Sequence, residues 1–554
     1  MIMNRCTFLV VLVFLVVPVS GQQPPTSPSN EANVPAPTFR PVTAKRLVNA
    51  EDEPHNWLMY SGDYKSRRYS GLDQIHRQNV DRLEIQWVYQ LRTLDRAETT
   101  PLVVDGVMYI TESPSTVIAV DAATGRPYWR YEHQLPDDAV FCCGRNNRGV
   151  AVNGDRVFMS TLDAHLVALD AKTGSVVWES EVAVTSNGYS KTAAPLIVGD
   201  KVFTGVAGGE YGIRGLIDAY DMETGTRAWR FYTTPGPDNP DNRTWSGDSW
   251  RRGGSATWMT GSYDPDLNLL YWGTGNPGPD YDGTVREGDN LYSDSVVALD
   301  ADTGELKWHF QFTPHDIHDW DSTQIPVLAD TTFDGEQRKL MLFPNRNAFF
   351  YVLDRETGEF LLGKPYAKQT WAEGLDENGR PIVRPNTAPT AEGTLVSPAI
   401  TGGSNWWSPS YSPRTGLLYV TSYDSETKYF IRPTEYDVGQ SYRAGGGETP
   451  LPPEKYLRAV RAISPQTGER KWEFPVNSRS TSGLLSTAGD LVFGGTADGF
   501  FYALDALSGE ELWHRNVGGR VHAGPMSYAV DGQQHVAIAA GNAIFTFALP
   551  ERVE

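Results

Sequence analysis

Val117-Ile118-Ala119-Val120-Asp121-Ala122-Ala123-Thr124-Gly125, with an indole returning at Trp129, is the stretch that decides the fold. Its apolar run reads as a buried strand. Asp and Thr-Gly then read as a tight turn, with a short acceptor side chain for the turn amides and a glycine for the left-handed residue. Trp129 stands eight residues after Asp121, on the returning strand. The same offset separates Asp170 from Trp178, Asp221 from Trp229, Asp300 from Trp308 and Asp505 from Trp513. Ser464 and Trp472 keep it, Asp354 keeps it with Leu362 in the Trp place, and the fragment Asn79 to Trp87 keeps it again. That makes eight phases, and the shortest spacings, 41 and 42 residues, match one four-stranded unit of a propeller. The expected architecture is therefore all-β: a single eight-bladed β-propeller with Trp-docking repeats over residues 50–550. The wider gaps hold insertions at 233–254, 364–398 and 434–455, expected as loops over one end.

Composition agrees. Of 554 residues, 53 are Gly, 37 Pro, 16 Trp and 26 Tyr, a mix suited to many short strands and turns. A hydrophobic share of 40% excludes a disordered chain. A net charge of −20 argues against a nucleic-acid partner, because neutralising phosphates takes clustered Lys and Arg. It suits a cationic protein partner instead. The N-terminus carries Arg5, an apolar run from Phe8 to Val17, and Pro18-Val19-Ser20-Gly21. Residues 1–21 read as a signal peptide cleaved near Gly21, which places the mature protein in the periplasm. An uncleaved anchor is the alternative. Residues 22–49 read as a flexible leader. No other segment is long and apolar enough to span a bilayer. Cleavage removes Arg5 and takes the net charge to −21.

Cleavage also removes Cys6 and leaves the adjacent pair Cys142 and Cys143. In an oxidising compartment such a pair reads as a disulfide, with two separate buried thiols as the alternative. Neighbouring Cα atoms lie about 3.8 Å apart, and the bond would close no loop, so chain-entropy stabilisation is not its purpose.

Several clusters interrupt the repeats: Phe141-Cys142-Cys143-Gly144-Arg145-Asn146-Asn147-Arg148, Gly253-Gly254-Ser255-Ala256-Thr257-Trp258, Gly208-Gly209-Glu210, Gly275-Asn276-Pro277 and His315-Asp316-Ile317-His318-Asp319-Trp320-Asp321. Taken jointly they resemble the quinoprotein alcohol dehydrogenases, which hold pyrroloquinoline quinone (PQQ) in an eight-bladed propeller. The resemblance covers roughly residues 50–547. It implies that the Cys142–Cys143 disulfide lies against one face of PQQ and Trp258 against the other. It implies further PQQ contacts from Glu98, Arg148, Thr192, Gly208, Gly209, Arg346 and Asn405. Guanidinium groups suit the cofactor's carboxylates.

The resemblance also implies a metal site of Glu210, Asn276 and Asp319. An all-oxygen set calls for a hard ion. His309, His315 and His318 lack the spacing of a closed tetrahedral zinc set. Asp321 completes an Asp-x-Asp similar to that of the lanthanide-dependent members, so the expected ion is one lanthanide(III), with Ca²⁺ as the alternative. Asp319 is the expected general base for an alcohol oxidised by metal-assisted hydride transfer to the quinone. No Cys-x-x-Cys-His occurs, so a separate soluble cytochrome c is the expected acceptor. Sugar or polyol oxidation and a non-catalytic propeller scaffold stay open as alternatives, as does a homodimer. The sequence departs from the family at Arg479-Ser480-Thr481-Ser482-Gly483, where members carry an aromatic near PQQ.

Overall fold

The computed structural model describes residues 38–448, 456–478 and 482–550. The signal peptide, the leader up to residue 37, the end of the 434–455 insertion and Arg479-Ser480-Thr481 lie outside them.

Among the described residues, eight sheets of four or five strands follow one another along the chain. Their strands pair antiparallel, except that Tyr69–Ser70 adds in parallel to Leu485–Thr487 as the fifth strand of one sheet. The first runs Leu102–Val104, Val107–Glu112, Thr116–Asp121 and Pro127–Glu132. The next lie within residues 150–181, 196–232, 262–311, 327–365, 410–475 and 485–516. The last joins the two ends of the chain: Met526–Val530, Gln533–Ala540 and Ala543–Ala548 pair with Glu84–Gln90 from the N-terminal side.

Burial follows strand position. The second and third strands are almost wholly buried, as in Val107–Glu112 and Thr116–Asp121. The fourth strands face solvent on one side, as in Pro127–Glu132. Continuous apolar runs inside and alternating ones outside are what stacked sheets require.

The repeat residues do specific work. Asp121 Oδ1 accepts from Ala123 N at 3.1 Å, Thr124 N at 2.9 Å and Thr124 Oγ1 at 2.9 Å. The same clasp forms at Asp170, Asp221 and Asp300. The indole then reaches the next sheet. Trp87 Nε1 donates to Ala122 O at 3.1 Å, Trp129 to Ala171 O at 3.0 Å, Trp178 to Met222 O at 2.9 Å, Trp229 to Ala301 O at 3.3 Å and Trp472 to Ala506 O at 3.1 Å. Each acceptor belongs to the residue just after the next repeat's Asp. The turn glycine makes room for the ring: a Cβ on Gly174, whose φ is 73°, would fall 2.5 Å from Trp129 Cε3. Trp308 packs on Gly358 in the same way, but its buried Nε1 has no acceptor.

Two expectations need adjustment. Part of the segment read as flexible leader is folded: Thr43 caps the helix Ala44–Val48, Leu47 is buried, and Val42 bridges to Gly154. Apolar Val42 and Leu47 could be covered only by packing on the body, so leader character does not extend to residue 49. The insertions are more ordered than loops. Residues 233–254 contain two short 3-10 helices, Pro240–Thr244 and Ser249–Arg252, and 364–398 contains the pair Ala372–Leu375 and Pro381–Val383. No helix of the described residues is long and apolar enough to cross a membrane.

The indole contacts predict a contrast. Trp472→Phe forfeits a buried hydrogen bond to Ala506 O, which keeps only that from the Tyr419 hydroxyl, whereas Trp308→Phe removes an unmatched donor. Trp472→Phe should therefore lower stability by about 1 kcal/mol more than Trp308→Phe. Chemical denaturation of the two variants side by side checks this, and equal losses would contradict it.

Candidate active site

The strand ends at one side of the sheets, with the segments 142–148 and 400–406 and the 434–448 insertion, line a cavity of about 290 Å³. Its wall holds Glu98, Cys142, Cys143, Arg148, Thr192, Gly208, Glu210, Trp258, Asp319, Asp321, Arg346 and Asn405. Gly209 and Asn276 stand just behind it: a Cβ on Gly209 would lie 4.0 Å from Asn276 Oδ1. Sequence positions up to 347 residues apart, Arg96 and Arg443, are thus brought together. Cys142 and Cys143 are bonded to each other. At Gly208 φ is 117° and a Cβ would meet Gly188 O at 2.0 Å, so only glycine can carry the chain past that carbonyl into Glu210.

At one end of the cavity sits Arg148. Its Nη1 donates to Thr192 Oγ1 at 2.6 Å, and Nη2 lies 2.8 Å from Glu98 Oε2. The guanidinium stands 5.2 Å from the Trp258 ring and 4.5 Å from that of Trp406. Burial nonetheless raises the Glu98 carboxyl, with Arg148 pulling the other way. Asn405 Nδ2 donates to Thr401 O at 2.9 Å.

The other end gathers carboxylates. Asp321 accepts from Asn276 N at 2.9 Å, from Trp258 Nε1 at 3.2 Å and from Arg346 Nη1 at 2.5 Å. Arg346 Nη2 lies 3.4 Å from Asp319 Oδ1 and donates to Ile400 O at 2.6 Å. Asp319 Oδ2 accepts from the Tyr281 hydroxyl at 3.1 Å. Glu210 Oε1 lies 2.8 Å from Cys142 Sγ, a contact without a proton because the sulfur is in a disulfide. Asn276 Nδ2 donates to Asp280 Oδ1 at 3.0 Å, while Asp280 Oδ2 is buried with no hydrogen-bond donor.

Arg443 reaches in from the 434–448 insertion, 3.8 Å from Glu210 and 3.9 Å from Asp280. Tyr442 N→Glu210 O and Tyr281 N→Arg443 O fasten that segment over the site.

Charge is out of balance here. Burial, reinforced by Asp321 and Glu210 and opposed by Arg346 and Arg443, pushes the Asp319 carboxyl up to about 7. Burial first, then Asp319 and Glu210, drives Asp280 well above the carboxylate range, and burial raises Glu210. Such crowded oxygens, one of them orphaned, fit a hard cation bound among them. The disulfide, Trp258 and the Arg148 and Arg346 guanidiniums fit a flat polycarboxylate alongside. Asp321 is already held by three N–H donors, so an ion using it would share that carboxylate with Arg346.

Sequence reasoning missed Arg443, Asp280, Tyr281 and Trp406. Asp280 and Tyr281 follow Asn276 closely enough to have been noticed. Arg443 gave no signal, since only the folded insertion brings it to Glu210.

Replacing Arg346 by Met strands Asp319 and Asp321 in the interior. In cofactor-free protein this should cost about 3–5 kcal/mol, measured by denaturant unfolding. A loss below about 1 kcal/mol would show that the two carboxyls do not depend on it.

The chain matches the family model for the glucose/ethanol/alcohol dehydrogenase β-propeller domain, a PQQ family, over residues 57–365 and 464–536. It is 40% identical over 526 residues to the quinoprotein alcohol dehydrogenase PedH of Pseudomonas putida, spanning 90% of this chain and 88% of that protein. A solved structure of the quinohemoprotein alcohol dehydrogenase ADHIIG from the same species superposes with a TM-score of 0.88 at 37% identity, over 94% of this chain and 84% of that one. A europium-containing methanol dehydrogenase superposes with a TM-score of 0.86 at 32% identity, over 91% of this chain and 100% of that one. With this cavity, these carboxylates and this vicinal disulfide on an all-β frame, the chain belongs to the PQQ-dependent alcohol dehydrogenase family.

Proposed function

We propose that the protein is an exported dehydrogenase oxidising an alcohol to the aldehyde, with PQQ and one hard metal ion in the cavity. The observation that carries this reading is the pairing, in one cavity, of buried surplus carboxylates with Trp258 and the Cys142–Cys143 disulfide. When bound, the quinone supplies the two-electron acceptor for the hydride of the alcohol carbon, and the ion supplies Lewis acidity. Glu210, Asn276, Asp319 and Asp321 are the residues that would hold the ion. Glu98, Arg148, Thr192, Gly208, Gly209, Trp258, Arg346 and Asn405 would hold the cofactor.

Asp319 takes the hydroxyl proton. Its carboxyl sits at the neutral edge of its range, where a general base is effective. Tyr281 and Arg346 each engage one of its oxygens and fix its orientation. The 434–448 insertion, with Arg443 and Tyr442, narrows access and limits water.

The ion is proposed as a lanthanide(III), with Ca²⁺ the second reading. Asp321 adds a third carboxylate to those of Glu210 and Asp319, and likeness to a europium-containing enzyme supports it. The frame is read as a single eight-bladed propeller over residues 50–550 with Trp-docking repeats, Leu362 standing in one Trp place, a reading supported by the eight sheets and the indole contacts. Electrons are proposed to pass to a separate cytochrome c, which a net charge of −20 would help to attract. Export to the periplasm, with cleavage near Gly21, is supported by the bonded cysteines, which an oxidising compartment maintains.

Activity with an artificial acceptor across an alcohol panel, after reconstitution with PQQ and either La³⁺ or Ca²⁺, tests the function; bound PQQ with no alcohol oxidised would reject it. Asp319→Asn should keep the fold and lose at least ~10² in turnover. Near-normal turnover would move the base elsewhere. Asp321→Ala should weaken La³⁺ activation much more than Ca²⁺ activation. Full activity with Ca²⁺ and none with La³⁺ in the unmodified enzyme would make Asp321 a bystander.

A further inference from the structure

A second cluster of donors lies outside the cavity. His133 follows the strand Pro127–Glu132, and the turn and strand start at 163–165 in the next sheet present Asp163 and His165. His133 Nε2 lies 2.9 and 3.0 Å from the two oxygens of Asp163. His165 Nδ1 lies 3.3 Å from Asp163 Oδ2. One donor atom from each residue falls within 4.8 Å of both others. Ligands at about 2.0–2.1 Å around a tetrahedral ion stand roughly 3.3 Å apart, so small movements would admit an ion at the centre. The side chains of His133 and Asp163 are 8% and 5% exposed and that of His165 26%, so the group is built into the fold yet reachable from solvent.

The outward ring nitrogens are also attended. The Tyr131 hydroxyl lies 3.2 Å from His133 Nδ1, and Glu179 lies 4.0 Å from His165 Nε2. Thr161 Oγ1 donates to Asp163 Oδ1 at 2.5 Å. Partners on the far nitrogen fix the tautomer and aim of a ligating imidazole. Burial works against the Asp163 carboxylate, but hydrogen bonds from His133 and His165 hold it well below the usual carboxylate range, so an anion is ready at neutral pH. The neighbouring cation, Lys191, donates to His165 O at 3.3 Å, and burial pushes it down to about 7. Lys191 precedes Thr192, a residue of the cofactor cavity wall.

We propose that His133, Asp163 and His165 form a binding site for a divalent transition-metal ion of borderline softness (Zn²⁺, Ni²⁺ or Cu²⁺), with water in the fourth position. Two imidazoles and one carboxylate select that class, whereas the all-oxygen set around Glu210 selects hard ions. The ion ties the end of one sheet to the hairpin of the next, beside the wall that carries Thr192.

The test uses the full-length protein already loaded with PQQ and its hard ion. Zn²⁺ is titrated calorimetrically, and one equivalent of Cu²⁺ is examined by electron paramagnetic resonance. Unmodified protein should bind one Zn²⁺, gain melting temperature with it, and show nitrogen splitting from two imidazoles on Cu²⁺. His165→Gln, at a partly exposed position, and Asp163→Asn should each weaken Zn²⁺ binding by at least about tenfold, since changes behind the ligands alone cost that much. Absence of Zn²⁺ and Cu²⁺ binding to the unmodified protein would overturn the proposal. Unchanged affinity and nitrogen splitting in folded His165→Gln would overturn it too, whether or not Asp163→Asn folds.

Discussion

Closure is the constraint on which the rest depends. The strand Glu84–Gln90 completes a sheet whose other three strands come from the last 25 residues of the described chain. Each sheet must then meet the next at a fixed spacing, or the two ends would not arrive in one sheet. The docking of the indole on the next sheet sets that spacing. It spans from the outer strand of one sheet to the residue after Asp in the next, and the turn glycine lets the ring lie flat. Trp513 at the end of the series packs on Phe547 of the joining sheet. Where the fifth sheet carries Leu362 instead of Trp, the side chain still packs on the turn glycine, since a Cβ on Gly468 would fall 2.9 Å from Leu362 Cδ2, but leucine has no N–H to donate. Packing therefore sustains the spacing, and the hydrogen bond refines it.

A frame held together in its turns and outer strands leaves one set of strand ends free for chemistry. Cys142, Glu210, Trp258, Asp319 and Arg346 all lie on connections between strands, where a side chain can change without disturbing a ladder. The cost is electrostatic. Burying Glu210, Asp280 and Asp319 close to one another, with Arg346 and Arg443 only partly opposing it, leaves those three carboxyls displaced upward, a crowding that a bound cation would relieve. Left-handed backbone at Asp319, with φ of 61°, belongs to the same pattern.

The fold was highly legible because a repeat writes one local rule many times. Asp, Thr-Gly and Trp are each chosen by their own turn or contact, so an offset of eight residues survives even when Leu362 or Ser464 replaces a member. The cavity was legible where residues sit in compact clusters, as with Cys142-Cys143 and Asp319-x-Asp321. Arg443 and Tyr281 were not. Their parts in the site come from a connection folding back over Glu210, and nothing in Arg443-Ala444-Gly445-Gly446 encodes which carboxylate it will face. The leader was overextended for a related reason: Pro41-Val42-Thr43 resembles linker until Val42 finds Gly154.

The same reasoning separates the two clusters of donors. Around Glu210 every candidate ligand is oxygen and the local charge is in excess, so ion charge decides what binds. Around Asp163 a single carboxylate stands with two imidazoles, so ligand softness decides. His133 and His165 lie 32 residues apart in sequence, in successive sheets, and neither has a neighbour that marks it as a ligand. They meet because the inter-sheet spacing set by Trp129 and Ala171 brings the end of one outer strand against the next hairpin. A frame built on repeats thus places side chains from adjacent units together at a regular interval, and any two compatible donors falling at that interval become a site that no local sequence pattern announces.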